Sequence, residues 1–181
     1  GTLTLTDGTI NTGTIDARGD VVVASTWDGG TAPLTFSGSA VQTFNLTGAT
    51  GLYNADITIN KTGGQVDLLS ALVMDYSGQD LVIQEGILDL SGNNLTVNGA
   101  SAATLVIQDG GNLQLQGGET ITANANYPSL LSGSTVTYDG TGSYSIKDYR
   151  YQHLTLSGSG TFTALAGTTT VIGNFSNAGG G

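Results

Sequence analysis

The chain has no cysteine, two prolines, one histidine and four cationic side chains, Arg18, Lys61, Lys147 and Arg150. Without cysteine there is no disulfide framework and no thiolate nucleophile or metal ligand. Four scattered cations against fourteen Asp and Glu give a net charge of −10. Recognition of a phosphate backbone needs clustered Lys and Arg, so nucleic acid is excluded as a partner, and an anionic membrane surface is equally unfavourable. No apolar run approaches the ~18 residues of a membrane span, so no membrane insertion is expected. Charged residues make up 10% of the chain, against about 25% in an average domain. Aromatics make up 7%, so a core must be narrow and aliphatic. Helical periodicity is also scarce: the best stretch, Gln65 to Met74, is short and flanked by strand patterns.

What is present is glycine, threonine, serine and asparagine around short alternating segments. Thr2-Leu3-Thr4-Leu5-Thr6 alternates strictly, and Leu88-Asp89-Leu90, Leu95-Thr96-Val97, Leu113-Gln114-Leu115, Leu154-Thr155-Leu156 and Phe162-Thr163-Ala164 do the same. Side chains of a strand point alternately to opposite faces, so each segment presents one apolar and one polar side. Between them lie Asp7-Gly8, Asp28-Gly29-Gly30, Asp109-Gly110-Gly111 and Asp139-Gly140, which suit tight turns.

The chain also repeats itself. Leu81-Val82-Ile83-Gln84-Glu85-Gly86 returns soon afterwards as Leu105-Val106-Ile107-Gln108-Asp109-Gly110. At a longer spacing, Leu3-Thr4-Leu5-Thr6-Asp7-Gly8 matches the latter run, and Leu34-Thr35-Phe36-Ser37-Gly38 matches Val136-Thr137-Tyr138-Asp139-Gly140 at the same offset. Tyr53 with Ile57-Thr58-Ile59 matches Tyr151 with Leu154-Thr155-Leu156 at a similar one. Repetition at a fixed short period indicates stacked units. The expected fold is all-β, a right-handed parallel β-solenoid of about 20–25 residues per coil, with about seven or eight coils of about three short strands each. At ~4.8 Å per strand this makes a rod roughly 35–40 Å long. A β-sandwich has similar strand spacing and is the alternative. The chain reads as one repetitive domain over residues 1–181, with approximate long repeats over 1–102 and 103–181. Its ends read through, Asn177-Ala178-Gly179-Gly180-Gly181 into Gly1-Thr2-Leu3, which suggests a segment of a longer repetitive protein or a subunit that stacks end to end.

Tyr53 to Ile59 with Asn60-Lys61-Thr62-Gly63-Gly64, and the run Gly86 to Val97, resemble repeats of large bacterial secreted proteins, the filamentous-haemagglutinin-like and autotransporter-passenger-like β-helix adhesins. The resemblance implies an exported rod at the cell surface or outside the cell, and it identifies no receptor.

Candidate chemistry is sparse. His153 follows Tyr151-Gln152 in a strand-like run, without a Gly-x-Ser-x-Gly nucleophile elbow anywhere. Glu85 and Asp109 occupy equivalent places in the short repeat, and a ladder of such acids would bind Ca2+ weakly through oxygen, though turn chemistry accounts for both. No cofactor is expected. Arg18-Gly19-Asp20 spells an integrin-type tripeptide and equally a turn into Val21-Val22-Val23. Asn45, Asn60, Asn94 and Asn174 head Asn-x-Ser/Thr acceptor sequences. Threonine arrays of the ice-binding kind would need Thr-x-Thr in consecutive coils, and Val82 and Gln84, then Val106 and Gln108, interrupt them. Lys147, Tyr149, Arg150 and Tyr151 form the most unusual surface candidate, with Tyr53 a further aromatic platform for carbohydrate. The expected function is a non-enzymatic structural or adhesive rod; the alternatives are a self-assembling extracellular filament, a polysaccharide-binding or polysaccharide-active β-helix, and an ice-binding protein. The expected partners are the chain itself or flanking repeats, a carbohydrate, or a host or cell-surface ligand.

Overall fold

Strand pairing in this computed structural model is parallel throughout, and the strands stack coil upon coil. Residues 1–46, 48–49, 54–99, 103–124 and 127–179 are described. Among them are twenty-two strands and no helix. The chain is a parallel β-solenoid; Gln65 to Met74, the best helical stretch by pattern, is strand, turn and strand.

Each coil has up to three sides. Face A holds Ile15–Ala17, Leu34–Ser37, the first part of Ile57–Leu68, the first part of Asp80–Asp89, Thr104–Ile107 and Ser129–Leu130. Face B is an unbroken path nine strands deep, from Leu3–Leu5 to Phe175–Asn177. At about 4.8 Å per step this spans roughly 40 Å. The third side carries shorter sheets, such as Leu72–Met74 with Leu95–Val97 and Ile121–Ala123. Coils vary in length. Leu88 lies beside Leu113, whereas Val136 lies beside Leu154, so the later coil takes a visibly shorter path round the core.

The short repeat is the coil itself, because Leu81, Val82 and Ile83 pair with Leu105, Val106 and Ile107. The long correspondence has a different basis. Leu3 stands on face B and its match Leu105 on face A, while Leu34 stands on face A and Val136 on face B. Both faces are built from the same strand-and-turn grammar, so their sequences match across faces.

The core is a set of aliphatic columns. Leu34, Ile57, Leu81 and Leu105 form one, and Val66, Leu88, Leu113, Val136 and Leu154 another, each side chain almost fully buried. Rings also enter the core. Phe36 and Phe44 meet at 5.1 Å between centroids, and Tyr138 and Tyr151 join their hydroxyls at 3.0 Å inside the later coils. The corner from face A to face B needs a left-handed residue. Gly86, with φ of 87°, makes it where a Cβ would also fall 2.4 Å from the Lys61 carbonyl oxygen.

One polar group interrupts the columns. Gln42 occupies an inward position beside Val66, and Lys61 lies at the next corner; both are buried. The Gln42 amide donates to the carbonyls of Ala17, at 3.0 Å, and Gly19, while Lys61 Nζ donates to Gln42 Oε1 and, at 3.3 Å, to the Ser37 carbonyl. Burial pushes the Lys61 ammonium below its usual value. The group is a staple between coils, satisfied by backbone and amide oxygens. Replacing Lys61 with Met strands the Gln42 carbonyl and should cost about 1–3 kcal/mol. The double variant Q42L/K61M should recover part of it, since an apolar pair of similar shape restores the column while the Ala17, Gly19 and Ser37 carbonyls lose these donors. Urea unfolding of the four variants checks this; a K61M chain as stable as the parent would sink it.

Candidate functional site

Regular stacking fails at one place on face A. The sheet from Ile15–Ala17 ends at Ser129–Leu130, and the next strand in that position, Arg150–Tyr151, pairs only with Thr170–Val171. A groove of about 460 Å³ opens there, lined by Tyr127, Asp148, Tyr149, Arg150, Thr168 and Thr170. Tyr127 also borders a second, more apolar groove of about 300 Å³ that reaches Ala103, Leu105 and Asn124. Tyr127 as a residue is 56% exposed. Pro128 follows and is buried, and proline restricts the backbone of the residue before it, so Tyr127, which lies in a bend, stands on a constrained backbone.

The four residues singled out by sequence separate here. Tyr151 is fully buried: its hydroxyl meets that of Tyr138 and donates to the Lys147 carbonyl at 2.6 Å. Strand alternation then turns Arg150 outward, where it lies beside Thr170. Tyr149 is 9% exposed, with its ring against Tyr151 at 5.8 Å between centroids. Lys147 is half-buried, and its Nζ donates to the Glu119 carbonyl, away from the groove. The open aromatic platform expected at Tyr149 and Tyr151 is therefore corrected: both rings are buried inside the short later coils. Burial pushes the hydroxyl of Tyr138 up to about 12 and raises those of Tyr149 and Tyr151 further. Tyr53 lies outside the described residues.

Other candidates have structural roles. His153 Nδ1 accepts the Asn174 amide at 2.9 Å, joining adjacent coils. Asp20 accepts the Thr43 amide at 2.8 Å, and Arg18 pairs with Asp16 at 3.1 Å, so the Arg-Gly-Asp run is a coil corner. Glu85 and Asp109 are out of step. The register that pairs Ile83 with Ile107 has slipped by one position where Gly86 meets Gly111, which places Glu85 over Gly110. No group of three metal-ligating side chains occurs among the described residues. Asn60, Asn94 and Asn174 are exposed and Asn45 is half-buried. The outward row Asp16, Thr35, Thr58, Val82, Val106 holds two adjacent threonines and no Thr-x-Thr grid.

Face B carries the main electrostatic feature, an outward row of Thr43, Asp67, Asp89, Gln114, Thr137 and Thr155. Gln114 Nε2 bridges Asp89 at 3.0 Å and Asp139 at 2.9 Å, and Gln65 Nε2 binds Asp67 and, at 3.3 Å, Asp89. Amides thus separate carboxylates that stacking would otherwise press together. They do so incompletely. Burial, then the charge of Asp67, raises the Asp89 carboxyl above its ordinary value, and burial with the charge of Asp89 does the same to Asp139. Asp139 Oδ1 is buried without a hydrogen-bond partner.

No protein-family model, no curated protein and no solved structure matches this chain at a significant level.

The acidic row yields a pH prediction. A carboxyl whose folded pKa is raised stabilises the fold below its unfolded value, and this contribution is lost as pH rises through the folded value. Acidification from pH 7 through the carboxylate range should therefore raise the unfolding temperature. Asp139→Asn should raise it at pH 7 by about 2–4 °C, the shift expected for roughly 1 kcal/mol in a chain of this size, and have little effect below the unfolded carboxylate range. Thermal scans of both chains across pH decide it; a gain from Asp139→Asn that persists unchanged under acid would contradict the assignment.

Proposed function

We propose that the chain is a structural, non-enzymatic rod of an exported bacterial surface or extracellular protein, which spaces or displays what it carries and adheres through its sides. The observation that supports this most is the unbroken nine-strand path of face B. Strands within it have their backbone groups taken up by the coils above and below, which makes a stiff spacer from a short polar-surfaced sequence. The low charge, the absence of cysteine and the resemblance of the Tyr53–Gly64 and Gly86–Val97 runs to adhesin repeats agree with this reading. Antibodies raised against the chain should label intact cells of the source organism, and brief external proteolysis should remove the label. Labelling that requires lysis would sink the proposal.

A second reading is a subunit that stacks end to end. The last described coil leaves Leu165, Ile172 and Phe175 exposed, although Phe175 stands in register with buried Leu154. This surface would be covered by further coils or by a second copy, and head-to-tail pairing without closure builds a filament. Electron microscopy of the purified chain at rising concentration should show rods of one width that lengthen, and Ile172→Asp with Phe175→Asp should return short particles. Short particles from the parent chain at every concentration would remove the filament reading.

A further inference from the structure

We propose that the groove crossed by Tyr127 binds a neutral oligosaccharide. This goes beyond the rod reading, since a rod needs no groove. Three observations converge on it. The first is the platform. Tyr138, Tyr149 and Tyr151 are buried and Tyr144 is half-buried, whereas Tyr127 is more than half exposed on the side where two grooves meet. An exposed ring over a concave surface suits the apolar C–H face of a pyranose, because it offers a large rigid contact at low entropic cost.

The second is the polar lining. Asp148 and Arg150 flank Tyr149, both exposed, and neither side chain makes an ion pair or hydrogen bond within the described residues. Thr168 and Thr170 add hydroxyls, and Thr170 stands in register with Arg150. A carboxylate accepts from two neighbouring hydroxyls, and a guanidinium donates to ring or hydroxyl oxygens in a fixed fork. Such a set recognises vicinal hydroxyls. A few placed polar groups around an apolar wall is the usual make-up of a small-molecule site.

The third is charge and length. One acid and one base balance within the groove, and the chain as a whole is strongly acidic. A polyanion would be repelled on approach, while an uncharged glycan meets no such barrier. The two grooves together run past the strands at Thr104–Ile107, Ser129–Leu130, Arg150–Tyr151 and Thr170–Val171. The two grooves share Tyr127 and together offer an extended surface to more than one sugar unit.

Affinity electrophoresis tests this with the intact chain in gels containing dextran, mannan, starch or xylan, with alginate as the acidic comparison. At least one neutral polysaccharide should retard the parent chain. Tyr127→Ala should weaken that retardation at least tenfold, Arg150→Ala should weaken it, and Tyr127→Phe, which keeps the ring, should bind. Tyr76→Ala removes an exposed ring outside the groove and should leave binding unchanged. Circular dichroism confirms that each variant keeps its β signal. Absence of retardation in all four neutral gels overturns the proposal. So does retardation by alginate alone, or retardation of the Tyr127→Ala chain as strong as that of the parent. Surface labelling and rod imaging do not depend on this groove, so the two readings fail separately.

Discussion

Parallel stacking in register is the constraint on which the rest of the structure depends. When Val66, Leu88, Leu113, Val136 and Leu154 lie one above another, each apolar residue finds its cover in the same position of the next coil. The same rule acts outside. A charge on the outer face meets whatever the next coil places there, about 4.8 Å away. Like charges at that spacing repel, so an acidic chain must break up its own rows. Gln65 and Gln114 do this with amides, which are neutral and bridge Asp67 to Asp89 and Asp89 to Asp139. The raised carboxyls of Asp89 and Asp139 show how far the remedy falls short, since no cation enters the row.

Much of this was legible in the sequence because the coil is a local rule repeated. The return of Leu81-Val82-Ile83 as Leu105-Val106-Ile107 is a register pair, and the alternation in Leu113-Gln114-Leu115 marks which side chains are buried. The face a strand occupies was not legible. Period-two alternation is identical on faces A and B, and so Leu3 and Leu105 match in sequence without being equivalent in space. Corners also hide a residue of drift. Glu85 and Asp109 look equivalent by counting from the preceding strand and are not equivalent once the bulge at the corner is included.

Side-chain roles that depend on contacts across coils were the least legible. Tyr149 and Tyr151 sit in a run with two cations and read as surface; the short coil from Val136 to Leu154 instead draws their rings inside. Lys61 reads as one of four scattered cations, yet it answers Gln42, on an earlier strand, through a buried contact. The signal available for Tyr127 was only its place before Pro128, which restricts its backbone and removes one amide donor from the next position.

Function in such a fold is best sought where the stacking rule is broken. Along face B outward side chains are tied to their neighbours above and below, so a ligand there competes with contacts the rod already makes. At the end of the face A sheet this competition disappears. Ser129–Leu130 and Arg150–Tyr151 do not pair, the coil narrows, and side chains are freed from the ladder. A chain whose local choices agree along most of its described length departs from its own pattern at this groove, and such departures are where functional demands tend to override folding demands. The break leaves Tyr127 and Asp148 outside any strand and Arg150 in register with Thr170 alone, which is what makes them available to something other than the rod.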